Sequence, residues 1–180
     1  HFHNVLCLSK AKGMDINMNE TMVYADGFEK TFATAEEMLA FLGRRLQSSQ
    51  WIRKPTRSLR LVPLEKEADN LENGDAEMEE ILKDTEKHTR LVLKVRGEAY
   101  PVRNCAIQTI LGRAGISGEG LRKLDVRTYA KVVNCCLKVA KGESLIKIAD
   151  GKVSAVHGGD AHDYSVLDMK AIFETTSEDL

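Results

Sequence analysis

Apolar residues recur along the chain with a helical period in several segments. The period is clearest over residues 35–47 and 126–140, where apolar side chains return at every third or fourth position. Thr34 and Glu37 form a capping-box pattern before the first of these segments. The pattern predicts about five helices, at residues 35–47, 75–88, 103–114, 126–140 and 169–175, with a short helical turn within 116–124.

Extended segments lie between the predicted helices and pair most simply as hairpins. Asp-Gly is a favoured two-residue turn, and it occurs at the centre of residues 22–32 and of residues 145–157. Residues 91–102 have the same form around Arg96-Gly97. Residues 5–8 form a short apolar strand, and residues 51–64 are extended because Pro55 and Pro63 exclude a helix interior. The prediction is an α+β fold, with antiparallel β-hairpins packed with about five helices around a single core.

Three regions follow along the 180 residues, which together suit one structural domain. Residues 1–64 hold the first hairpin, the first helix and a basic strand. Residues 65–88 form an acidic insertion, and residues 89–180 hold the remaining helices and hairpins.

The acidic segment, residues 65–86, dominates the charge pattern. Ten acidic and two basic residues give it a formal charge of −8, so with a total of −1 the other residues carry +7. We predict a solvated loop up to Gly74 and a helix after it. Such a segment can dock on a basic protein partner or mimic the charge of DNA.

The basic strand offers a different partner. Its basic residues are Arg53, Lys54, Arg57 and Arg60, and Trp51 lies beside them. Basic side chains can follow nucleic-acid phosphates, and an indole can stack on a base of single-stranded or duplex nucleic acid. Tyr164, in a later loop, is a second candidate for stacking. The alternatives are a solvated edge strand, which charges protect from aggregation, and pairing with the acidic segment.

His157, Asp160 and His162 are candidate metal ligands because imidazole and carboxylate groups bind transition metals. A metal-dependent enzyme is therefore one alternative function, although an ordinary polar loop explains the same residues. No Ser-His-Asp or Cys-His signature is present, and the glycines between residues 112 and 120 match no phosphate-binding motif. We expect a protein without a cofactor and without catalytic residues.

Cysteine usage and hydropathy indicate a cytoplasmic protein. The four cysteines form no C-x-x-C pair, and we expect reduced thiols. No apolar run approaches the ~20 residues of a membrane span, so no membrane partner is predicted.

Four pieces of the sequence resemble one family. The first is T-R-S-L-R-L from Thr56, and the second is the Y-P-V step from Tyr100 that opens a helix. The third is R-A-G-I-S-G from Arg113. The fourth is K-V-S-A-V from Lys152, followed by Y-S-V-L-D from Tyr164. Together they resemble the phage/plasmid-like protein family, a bacterial and phage domain of unknown function (number nine-three-two).

The resemblance implies a phage- or plasmid-derived protein of unknown molecular function. Two departures accompany it. Ser117 stands where the family commonly has proline, and the loop before Tyr164 is longer and lacks the family's arginine. Members often continue past the last hairpin, so the resemblance implies a short variant or a fragment.

The helical pattern of residues 126–140 generates a first testable prediction. Tyr129, Val132, Val133, Cys136 and Leu137 share one face, and Cys135 lies about 100° from Cys136 around the helix. In thiol labelling of the folded protein, we expect Cys135 to react faster than Cys136. Equal labelling rates in the Cys135→Ser and Cys136→Ser variants would mean that the helix is turned the other way.

Overall fold

The structure, a computed structural model, describes residues 22–159 and confirms the predicted α+β class. Five α-helices and two three-stranded antiparallel sheets make up this part of the chain. The helices are α1 (Ala35–Ser48), α2 (Ala68–Leu71), α3 (Ala76–Lys87), α4 (Asn104–Ala114) and α5 (Val126–Val139). The strands are β1 (Gln50–Pro55), β2 (Arg60–Pro63), β3 (Leu91–Val95), β4 (Glu98–Pro101), β5 (Glu143–Ala149) and β6 (Lys152–Gly158).

The caps of the helices follow from the local sequence. Thr34 is extended, and its hydroxyl accepts a hydrogen bond from the Glu37 amide, as the capping box predicts. Asp75 and Asp125 cap α3 and α5 in the same way. Gly115 ends α4 with φ of 71°, a left-handed conformation that costs glycine little.

The two sheets have the strand orders β1-β5-β6 and β2-β3-β4. Asp150-Gly151 joins β5 to β6, and Arg96-Gly97 joins β3 to β4, so two of the three predicted hairpins are confirmed. A single parallel bridge between Val102 and Val153 links the sheets, and the Arg103 amide donates to the Val153 carbonyl at 3.0 Å. The main core therefore extends across both sheets.

The second sheet lies between two helical layers. Successive residues of its strands point to opposite faces, and both faces carry apolar side chains. One face packs with α4, α5 and the first sheet in the main core. The opposite face packs with the acidic segment, where Leu64, Leu82 and Val92 are buried. The buried residues of the main core are Leu59, Leu61, Leu91, Leu93, Val95, Val102, Ala106, Ile110, Leu111, Ala130, Val133, Leu137, Ile146, Ile148, Val153 and Val156.

Helix α5 turns the predicted face toward the core but buries it only in part. Val133 and Leu137 are buried, together with Ala130, whereas Tyr129, Val132 and Cys136 are partly buried. Cys135 is exposed and Cys136 is partly buried, which is the predicted order.

The hairpin predicted at residues 22–32 is wrong. These residues form no strand. They form turns, in which the Ala25 amide donates to the Met22 carbonyl and the Phe28 amide donates to the Ala25 carbonyl. The Asp26 carboxylate accepts from the Asn104 amide at the start of α4, and the Asp26 amide donates to Asp84 of α3.

The extended segment at residues 51–64 is two strands in different sheets. A 3₁₀ helix, Thr56–Ser58, separates them, and the buried Thr56 side chain bonds to Ser144. The segment predicted as a solvated loop up to Gly74 is mostly exposed, as predicted, but it is not a loop throughout. It contains the 3₁₀ helix Leu64–Lys66 and α2, and Glu67 is buried because the Lys94 ammonium lies 2.7 Å from its carboxylate.

The first predicted strand, residues 5–8, and the last predicted helix, residues 169–175, lie outside the described residues. Within residues 22–159, every helix is too short or too polar to span a bilayer.

Two residues of α5 allow a matched test of the core. Leu137 is 0% exposed and Val139 is 78% exposed. Leu137→Ala should lower the free energy of unfolding by about 2–5 kcal/mol because it leaves a cavity in the core. Val139→Ala should change that free energy by less than about 0.5 kcal/mol. Urea denaturation measures both, and equal effects would contradict the assigned face of α5.

Candidate nucleic-acid interface

A basic groove lies where β1, β5 and the end of α5 meet. Arg57, Lys138 and Lys141 line it, and its volume is about 410 Å³. Its remaining lining residues are Pro55, Val139, Ala140, Gly142 and Glu143. Three cations from two distant parts of the sequence therefore face one concave surface.

Buried hydrogen bonds hold the floor of this groove. The Thr56 amide donates to the Gly142 carbonyl at 3.0 Å, and the Thr56 and Ser144 hydroxyls lie 2.7 Å apart without solvent exposure. Arg113 of α4 donates to both hydroxyls, at 3.1 and 3.2 Å, and to the Glu143 carbonyl at 2.9 Å. These bonds join the start of β5 to the chain just after β1, so Arg57 is held near the end of α5.

The cations of the groove have no acidic partners in the described part of the chain. Within residues 22–159, Arg57, Lys138 and Lys141 make no ion pair, and neither does Lys54, which directly precedes Pro55. Lys138 and Lys141 also lie near the C-terminus of α5, where positive charge offsets the helix dipole. This structural role accounts for Lys138 and Lys141, but it does not account for the position of Arg57.

The outer face of the first sheet carries two aromatic rings and a lysine. We call Trp51, His157 and Lys147 together the aromatic platform. The Trp51 and His157 rings are 6.4 Å apart between centroids and 29° from parallel. The Lys147 ammonium is 5.5 Å from the centre of the indole. Burial, followed by the charge of Lys147, lowers the pKa of His157, which keeps the ring neutral near pH 7.

The strand from the platform to the groove carries Arg53. Its guanidinium donates to the Gly159 carbonyl at 2.6 Å and to the Glu143 carboxylate at 3.2 Å. Burial, followed by the charge of Arg45, lowers the pKa of Lys147. Arg53, Lys147 and Arg45 therefore lie on or near this face, with Glu143 and Asp150 as acidic neighbours.

The structure divides the predicted nucleic-acid residues among three places. Trp51 and Arg53 lie on the outer face of β1, and Arg57 lines the groove. Lys54 lies in β1 opposite Ser144 and does not line the groove. Arg60 is in the second sheet, opposite Lys94 of β3, and so does not join them. Tyr164 lies outside the described residues.

Sequence reasoning missed Lys138, Lys141 and Lys147. They lie more than 80 residues after β1, and only the pairing of β1 with β5 brings them to it. The one available signal was the basic end of the predicted helix, K-V-A-K, which is typical of any helix C-terminus.

The candidate metal ligands are only partly within the described chain. His157 lies in β6 against Trp51, whereas Asp160 and His162 lie outside the described residues. In residues 22–159, the grouping of possible metal ligands is Asp26, Asp84 and His88, whose donor atoms all lie within 4.8 Å of one another. His157 is not part of it.

Protein cations already balance the two carboxylates of this group. Asp26, Asp84, Lys152 and Arg103 together are called the buried ion cluster below. The Lys152 ammonium is 0% exposed and lies 2.5 Å from the Asp84 carboxylate, and Arg103 Nε lies 4.0 Å from Asp26. Burial raises the pKa of Asp26. Burial also acts upward on the pKa of Asp84, but the hydrogen bond and charge of Lys152 outweigh it and lower that pKa. The cluster fastens residues 22–30 to α3 and α4, and a divalent metal would have to displace Lys152.

The buried ion cluster predicts a large stability effect. Lys152→Met removes the cation and leaves the Asp84 and Asp26 carboxylates buried beside an apolar side chain. The free energy of unfolding should fall by about 3–5 kcal/mol. Lys83→Met, which breaks an exposed pair with Glu80, is the control and should leave the urea midpoint unchanged. A wild-type midpoint for Lys152→Met would show that the cluster does not hold the fold.

Comparisons of the chain with protein-family models, with curated proteins and with solved structures found no match. The resemblance to the phage/plasmid-like family therefore stays a prediction from four pieces of sequence. Inference about function rests on the geometry of the groove and the platform.

Proposed function

We propose that this protein is a non-enzymatic nucleic-acid-binding module that contacts backbone phosphates through the basic groove. The observation that carries the proposal is the convergence of Arg57, Lys138 and Lys141, without ion-pair partners among residues 22–159, on one concave surface. Phosphate contacts supply most of the sequence-independent affinity of such proteins, and they come from Lys and Arg.

The net charge of −1 means that attraction for nucleic acid has to be local. Acidic residues are concentrated in α2 and α3, which pack on the far face of the second sheet. Among residues 22–159, Glu143 is the one acidic residue that lines the groove, and Arg53 donates to its carboxylate. The groove is therefore a positive surface on a chain that is close to neutral.

The alternative of a protein-interaction or DNA-charge-mimic role has less support. Several acids of the acidic segment pair with this chain's own cations, with Glu65–Arg127 at 2.5 Å and Glu67–Lys94 at 2.7 Å. Apolar residues of the segment are buried against β3. A segment that is folded into its own protein in this way has fewer free charges for a basic partner.

The proposal includes a cytoplasmic location and a phage or plasmid origin. The three cysteines of the described residues, Cys105, Cys135 and Cys136, are free thiols, which suits a reducing compartment. The four sequence pieces that resemble the phage/plasmid-like family support the origin.

Salt dependence tests the groove. Binding of a fluorescein-labelled oligonucleotide should weaken with salt, with a log–log slope of about −0.7 per phosphate contact for a single strand. The triple variant Arg57→Gln, Lys138→Gln and Lys141→Gln should flatten that slope by about 2, because three contacts are lost. Fluorescence anisotropy at several salt concentrations measures the slope.

A second triple variant provides the matched control. Lys66→Gln, Lys87→Gln and Lys123→Gln remove the same charge from exposed positions that do not line the groove. This variant should keep a slope close to that of the wild type. Equal slopes for both triple variants, or no binding at low salt by the wild type, would refute the proposed function.

A further inference from the structure

We infer that the nucleic acid is single-stranded and that one of its bases stacks on the aromatic platform while its backbone follows β1 to the basic groove. This inference rests on the proposed function and adds the class of ligand.

Strand register places the platform residues on one face. Trp51 pairs with Lys147, and both Arg53 and His157 pair with Leu145. Side chains of directly paired residues lie on the same face of a sheet, and every second residue of a strand returns to that face. Trp51 and Arg53 therefore share the outer face with Lys147 and His157, whereas Ile146 and Val156 point into the core.

The indole of Trp51 is the ring that a base can reach. Trp51 is partly exposed, and it stacks with His157 over the middle strand β5. Aromatic side chains bind bases by stacking, without need for a particular sequence. In a duplex, neighbouring base pairs cover the faces of each base, so a base reaches this surface only when it is unpaired.

Charge extends from the platform toward the groove. From Trp51 to Pro55, β1 covers four residues, or about 13 Å at the usual rise of a strand. Arg53 lies between them on the same face, and Lys147 lies over the indole. A strand whose base stacks on Trp51 can therefore place successive phosphates near Arg53 and then near the groove cations.

An anion beside Lys147 would offset the hydration that its ammonium loses by burial. Burial lowers the pKa of Lys147 because its ammonium has lost part of its hydration. Asp150 is the acid that acts against this shift, and Arg45 adds to it. A phosphate close to Lys147 would supply further negative charge, whereas a cationic peptide would oppose it.

The tryptophan itself reports on stacking, because Trp51 is the only tryptophan of the chain. We would titrate the full chain with three oligonucleotides of equal length. These are an oligothymidylate strand, the same strand in a duplex with oligoadenylate, and an abasic strand with the same phosphates. Oligothymidylate should quench Trp51 fluorescence, whereas the abasic strand should bind without quenching and about 5- to 150-fold more weakly. The duplex should not quench.

Substitution of Trp51 separates stacking from folding. In competition against a fluorescein-labelled strand, Trp51→Leu should bind the oligothymidylate and abasic strands equally, with the salt slope unchanged. Trp51→Phe keeps an aromatic ring and should recover most of the preference for bases. If Trp51→Leu fails to fold, Trp51→Phe and the three-ligand comparison of the wild type still decide the question.

The outcomes distinguish this inference from the proposed function. Binding that depends on the groove cations but is equal for the oligothymidylate, duplex and abasic strands would overturn the platform and leave the groove. Wild-type binding to none of the three would overturn both.

Discussion

The candidate interface depends on the docking of α5 against the edge of the second sheet. Asn134 makes two hydrogen bonds of 2.7 Å with the backbone of Leu61, accepting from its amide and donating to its carbonyl. The side chain therefore occupies backbone groups of an edge strand that would otherwise need water or another strand. With Leu137 buried below it, this contact sets the direction in which α5 ends. Together with the pairing of β1 and β5, this docking holds Lys138 and Lys141 near Arg57.

A second set of interactions holds the chain's less regular parts in place. The buried ion cluster fastens residues 22–30 to α3 and α4, and the Lys94–Glu67 pair fastens the acidic segment to β3. Buried charges are stable only where partners replace the lost hydration. Lys152 and Glu67 each have such a partner, which explains how a segment rich in acids can lie against an apolar surface. The negative charge is thereby kept on a different face from the groove.

The two parts of the interface have separate physical roles. The groove provides charge, which attracts any polyanion and weakens with salt. In the proposed interface, the aromatic side chains of the platform would distinguish exposed bases from paired ones. Both are attached to β1, because its pairing with β5 brings Lys147 beside Trp51 and its end at Pro55 leads into the groove. In the proposed complex, β1 would therefore set the spacing between base and phosphate contacts.

The sequence by itself determined several local elements: the helix cap at Thr34, the Asp150-Gly151 hairpin and the side of α5 that faces the core. These depend on neighbours a few residues apart, so periodicity and turn chemistry suffice. It also indicated Trp51, Arg53 and Arg57 as one basic and aromatic segment. Only the tertiary structure decided that Arg60 belongs to another sheet, that Lys138, Lys141 and Lys147 join the site, and that residues 22–32 pair with helices. Those outcomes depend on contacts between distant segments, which no local pattern encodes.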